Sequence, residues 1–204
     1  MNNCGINILI KINMKYTDKI EKAIKIASHA HRNQTRKGSG TPYVSHLFSV
    51  MIILSEYTED EDILVAGLLH DLLEDTDTKD YGVRDIENDF GKKVLAIVQD
   101  VSEKKNKYLD TTDEKDTWKD RKISYLKHLS EATEDAVIVS AADKLHNLLA
   151  TIECIKKEGE SAWNVFNSSK EEQLWFYREF GLIIKWRLPN HPLVERVMEA
   201  IKEL

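Results

Sequence analysis

Residues 67–78 read GLLHDLLEDTDT, and here His70, Asp71, Glu74 and Asp75 stand among leucines. On a helix advancing about 100° per residue, taking His70 as zero puts Asp71 near 100°, Glu74 near 40° and Asp75 near 140°, with Leu72 and Leu73 at about 200° and 300°. The polar groups share one arc and the leucines take the other. That is the pattern of a helix buried on two sides, with a polar stripe lining an internal cavity. Burying several carboxylates together costs several kcal/mol per ion unless a cation compensates, which makes a divalent metal the natural partner. A solvated stripe near a helix end would explain Glu74 and Asp75 well enough. It explains His70 and Asp71 poorly, because they follow the apolar run Ile63–Leu69.

A metal needs further ligands from other buried helices. YVSHLFSVMII offers His46 among apolar residues, and DAVIVSAADKLHNLLATI offers Asp143 inside a long apolar helix. His46, His70, Asp71 and Asp143 would form a two-histidine, two-carboxylate set with positions left for water, suited to Mn²⁺, Fe²⁺, Zn²⁺ or Mg²⁺. Singly, each has an ordinary reading: His46 as a satisfied core histidine, Asp143 as a partner of Arg36 or Lys144. The combination favours the metal.

Helices are the elements that must position these groups. Thr17 or Asp18 can cap a first helix whose Ile20, Ala23, Ile24, Ala27 and His31 share a face. RKGSGTPY (36–43) breaks it with two glycines and a proline. A second helix runs from Tyr43 to about Tyr57, and a third spans residues 59–75. Residues 83–103 read as two short helices broken near Gly91. The polar segment 103–117 is the expected mobile loop. Helices resume at 118–129, 135–157, about 169–186 and 192–204, the last opened by Asn190 with Pro192 in its first turn. No strand pattern of useful length and no internal repeat is present. The expectation is an all-α bundle of roughly eight helices: a single domain over residues 14–204 behind an N-terminal extension at 1–13.

Composition narrows the partners. With 204 residues the chain is long enough to bury a sizeable core. A formal net charge of −6 argues against a nucleic-acid or acidic-membrane binder, so an anionic ligand must be held locally. Only Cys4 and Cys154 occur. Neither a disulfide framework nor a thiolate zinc site is indicated, and a reducing cytoplasm fits best. No apolar run approaches a membrane span.

The order SH at 45–46, HDLLED at 70–75 and ADKLHN at 142–147 resembles the HD superfamily of metal-dependent phosphohydrolases. QTRKGSGTPYVSH before the first histidine, LLHDLLEDT, and FGKKVLAIVQDVSE after it are similar to the hydrolase domain of RelA/SpoT proteins, especially its short single-domain forms. The likeness covers about residues 15–155. It implies an HD-domain helical bundle in which His46, His70, Asp71 and Asp143 ligate the metal, usually Mn²⁺. By the same resemblance Glu74 and Asp75 position and deprotonate the attacking water. Arg36 and Lys37 lie against a guanine base, and Asn147 contacts the sugar or phosphate. A solvated cation pair is the bland alternative for Arg36 and Lys37.

The implied reaction is hydrolysis of the 3′-diphosphate of guanosine tetra- and pentaphosphate (ppGpp and pppGpp). Alternatives are hydrolysis of another nucleotide and a regulatory nucleotide-binding module without turnover; the intact Glu74–Asp75 pair speaks against the latter. The sequence departs from the family at Leu149 and Ala150, where an arginine and a threonine are usual, with Thr151 one place late. That departure bears on the base rather than on hydrolysis. His29, His31, His128, His146 and His191 are assigned to packing or surface.

Overall fold

Helix starts fall where capping side chains stand. The computed structural model describes residues 15–75, 81–103 and 117–204, the side chain of Asp75 excepted. Thr17 opens α1 (Asp18–Ala30) by accepting from the Ile20 N–H at 3.2 Å. Asp60 opens α3 (Glu61–Leu69) in the same way, accepting from the Asp62 N–H at 2.9 Å. Between them lies α2 (Val44–Ser55). Next come α4 (Leu72–Asp75), α5 (Val83–Phe90), α6 (Lys92–Val101), α7 (Trp118–Glu131), α8 (Glu134–Glu158), α9 (Lys170–Arg187) and α10 (Pro192–Lys202). Gly91, at φ 89°, turns the chain between α5 and α6, a conformation that favours glycine. Among the described residues the only bridge outside helices joins Thr35 to Pro42.

The all-helical expectation holds, with four differences. The helix predicted over 59–75 is interrupted at His70–Asp71, and α4 is a single turn. The Gly67 carbonyl, which a continuing helix would offer to the Asp71 N–H, is engaged by His70 Nδ1 at 2.8 Å. The cap of α10 is His191 rather than Asn190; its Nδ1 accepts from the Leu193 N–H at 3.3 Å. A 3₁₀ segment, Gly159–Val165, follows α8 where no element was expected. Glu103, read as the start of a polar loop, is buried between Arg121 and Lys122, and so belongs to the core wall rather than to solvent. Residues 104–116 of that predicted loop and the extension at 1–13 lie outside the described residues.

The apolar run of α3 is explained by its place. Ile63 through Leu69 are all buried, with α1, α2, α6 and α8 packed around them. A Cβ on Gly67 would stand 2.4 Å from Leu54 Cδ1, so α2 and α3 approach as closely as they do because this position has no side chain. Arg187 donates to the carbonyls of Leu129 (3.1 Å), Ser130 (2.8 Å) and Ala132 (2.6 Å), closing the C-terminal end of α7.

Candidate metal centre and hydrolytic cleft

Close packing of α2, α3 and α8 brings the four predicted ligand residues together. His46 Nε2 lies 3.1 Å from Asp143 Oδ1 and 3.8 Å from Asp71 Oδ2. His70 Nε2 lies 3.0 Å from Asp71 Oδ2 and 3.8 Å from Asp143 Oδ1. His46 and His70 are 1% and 3% exposed, so their Nε2 atoms face these carboxylates rather than water. His46, His70 and Asp143 form a cluster able to hold a metal ion, and Asp71 stands beside it.

The tautomer of His70 fits that use. A carbonyl can only accept, so Nδ1 donates to Gly67 and the proton is fixed on that nitrogen. Nε2 is left buried, facing two carboxylates, without an aligned hydrogen bond. An imidazole lone pair and two carboxylate oxygens around one buried point form a donor set for a divalent cation.

The electrostatics point the same way. Burial pushes His70 down, but the charges of Asp71 and Asp143 overcome it and raise His70 well above the usual histidine value. For His46 burial wins and the value is lowered. Burial would raise Asp143, yet the adjacent Lys144 and the two imidazoles hold it well below the usual carboxylate range. Burial likewise opposes ionisation of Asp71, and His70 more than reverses it. Without a cation, the carboxylates are therefore stabilised by Lys144 and by the proton that His70 retains, which a metal ion would displace.

The cluster opens into a cleft with about 520 Å³ of empty volume. Glu74 lines it, and its Oε2 accepts from the Glu103 N–H at 3.0 Å. Asp75 lies in α4, and its side chain is outside the described residues. An adjoining space of about 640 Å³ shares Glu74, Glu103 and Lys122 with the first and adds Lys37, Arg121 and Phe166. Arg36 reaches the same neighbourhood by donating from Nη2 to Asn147 Oδ1 at 2.7 Å, and Asn147 lines the first cleft. Leu72 is fully buried in the core, whereas Glu74 lines the cleft.

Several neighbours had weak signals or none. Tyr43 donates to Asp71 Oδ2 at 2.6 Å, which no spacing rule foretells. His146, assigned by sequence to packing or surface, packs its ring against His46, with Nδ1 2.8 Å from His46 Nδ1. Lys144 pairs with Asp143, as one ordinary reading of that carboxylate expects. Lys122 lies beyond a polar stretch and becomes visible only in three dimensions.

Fold and donor set together define an all-helical domain with two imidazoles and two carboxylates at the junction of three helices. The HD domain profile matches residues 23–168. The chain is 36% identical over 158 residues to a Danio rerio protein named guanosine-3′,5′-bis(diphosphate) 3′-pyrophosphohydrolase MESH1, covering 76% of this chain and 80% of that one. It is 34% identical over 148 residues to a GTP pyrophosphokinase of Streptomyces coelicolor, covering 72% of this chain but spanning only 16% of that relative's length. A solved structure described as a metazoan ortholog of SpoT that hydrolyzes ppGpp superposes with a TM-score of 0.72 at 27% identity, over 93% of this chain and 97% of that one. The chain belongs to the HD-domain family, in its RelA/SpoT-type branch and short form.

Proposed function

We propose that this chain, acting over residues 14–204 as one unit, hydrolyses the 3′-diphosphate of ppGpp and pppGpp with water, giving GDP or GTP and pyrophosphate. The observation that carries this reading is the convergence of His46, His70, Asp71 and Asp143 at the head of a cleft whose wall holds Glu74. These four residues would hold a divalent cation, Mn²⁺ by family resemblance. When bound, such an ion supplies Lewis acidity for phosphoryl transfer to water.

The protein's own groups do the rest. Glu74, fixed by the Glu103 N–H, accepts a proton from the attacking water, with Asp75 as its partner. The Glu103 carboxylate is neutralised by Arg121 and Lys122 and so does not oppose a phosphate nearby. Lys122 and Lys144 place positive charge in the cleft of a chain whose formal charge is −6. Arg36 and Lys37 receive the guanine base and Asn147 the sugar or phosphate. A cytoplasmic setting agrees with the two-cysteine composition, and among the described residues no helix is long and apolar enough to cross a membrane.

Hydrolysis of a different nucleotide is the competing reading. Leu149, where family members carry arginine, is 44% exposed and adds no polar contact for a base. Incubation of the Mn²⁺-loaded protein with ppGpp, pppGpp and a panel of other nucleotides, with chromatography of products, decides between them. Pyrophosphate and GDP from ppGpp are the expected products. Release from another nucleotide alone would replace the substrate, and no release from any would overturn the hydrolase.

A further inference from the structure

The cluster's two carboxylates are each held by a neutral donor on the very oxygen that faces the imidazoles. Tyr43 Oη donates to Asp71 Oδ2 at 2.6 Å. Asn147 Nδ2 donates to Asp143 Oδ1 at 2.6 Å. A single cation touches both donors: Arg36 Nη2 bonds Asn147 Oδ1 at 2.7 Å, and its Cζ lies 5.7 Å from the centre of the Tyr43 ring. We propose that Tyr43 and Asn147 are positioning residues that brace Asp71 and Asp143, and that Arg36 ties the two braces together, so that the Arg36 loop and the cation site respond to one another.

The loop is built to hold this tie. Its backbone closes on itself through the Arg36 N–H to the Thr41 carbonyl (2.8 Å), the Gly40 N–H to the Arg36 carbonyl (3.0 Å) and the Tyr43 N–H to the Gln34 carbonyl (2.9 Å). Gly38 and Gly40 take φ of 82° and 68°, values that side chains rarely adopt. Behind Tyr43, the buried His31 ring stacks at 5.2 Å and 22°. The guanidinium charge next to the Asn147 carbonyl polarises that amide and strengthens its donation to Asp143. Losing a hydrogen bond behind a metal ligand typically costs about 10- to 100-fold in metal affinity. Coupling between two sites is reciprocal, so a ligand that draws Arg36 away from Asn147 must weaken cation binding, and a bound cation must favour the loop as it stands.

This inference rests on the cation site of the proposed function, and its test separates the two. Chelator-stripped protein is titrated with Mn²⁺ by calorimetry, with unfolding midpoints in chelator recorded for every variant. Tyr43→Phe, which keeps the ring, and Asn147→Leu should each weaken Mn²⁺ binding about 10- to 100-fold at unchanged midpoint. Arg36→Ala should weaken it several-fold, and should add much less in the Asn147→Leu background, because its hydrogen bond acts through that amide and only its contact with the Tyr43 ring is then left to lose. Equal Kd values for Arg36→Ala and the parent, or losses that add in the double variant, overturn the bracing. A parent that takes up no Mn²⁺ overturns the hydrolase reading instead.

Discussion

Replacing Asp143 with asparagine in the metal-free protein isolates one charge. The carboxylate and the Lys144 ammonium form a pair whose side chains are only 10% and 16% exposed. Asparagine keeps the shape and the acceptor for Asn147, so packing changes little and what disappears is the partner of a buried cation. Breaking such a pair from one side costs about 3–5 kcal/mol. The retained acceptor places this case near about 3 kcal/mol, or roughly 6–12 °C in Tm for a chain of this size. Urea unfolding in chelator at pH 7.5 measures it with no ion contributing. Adding Lys144→Met should recover most of the loss, since the orphaned charge is then gone. Asp143→Asn as stable as the parent, or a double variant no better than the single, would refute the argument. The depressed carboxyl value fixes the pH window: the pair stabilises fully above the unfolded value of about 4, and its contribution is lost as pH falls toward the lower folded value.

Glu74→Gln keeps an acceptor for the Glu103 N–H but cannot take a proton, so Mn²⁺ and ppGpp binding should stay near normal while kcat falls roughly 10²- to 10⁴-fold; near-normal kcat in a stopped assay moves the base elsewhere. Gly67→Ala sets the overpacking of Leu54, about 1–3 kcal/mol, against a gain of about 1 kcal/mol in helix propensity. A net loss near about 1 kcal/mol by urea unfolding is expected, with a larger fall in activity as α2 and α3 part, and a fully active, fully stable variant contradicts it. His146 is pushed down to about 4, first by burial and then by His46 and Arg36. The unfolded chain therefore binds a proton near pH 6.5 that the folded chain refuses until about pH 4, and stability falls on acidification through that window. His146→Gln should lose less stability than the parent between pH 7 and pH 4.5 in chelator, and parallel curves would exclude the effect.

Periodicity made the helices legible, and with them the depth at which His46, His70 and Asp143 lie. A buried helix such as α3 announces itself by an unbroken apolar run, so a histidine and an aspartate at its end stand out. What stayed hidden were contacts made across the fold. Tyr43 reads as a helix-initiating aromatic, and only packing aims its hydroxyl at Asp71. Glu103 reads as polar loop, yet two cations from α7 pull it into the wall. The break at His70–Asp71 escaped because helical patterning cannot register a side chain taking the carbonyl of its own helix. The imidazole at the start of α10 caps it as an asparagine would, a role that composition alone gives to the neighbour.

Arg187 has a further consequence for how the molecule opens. By holding three carbonyls at the end of α7, it joins α9 to the helix that carries Arg121 and Lys122. Phe176 meets Trp118 and Tyr125 from the same direction, at centroid distances of 6.3 and 6.2 Å. In hydrogen exchange α7 and α9 should therefore protect and release their amides as one cooperative unit. The cationic wall of the cleft would then be no more persistent than the C-terminal helices behind it. A lesion at residue 187, in sequence far from the residues that line the cleft, would be read there as a rise in the frequency of opening.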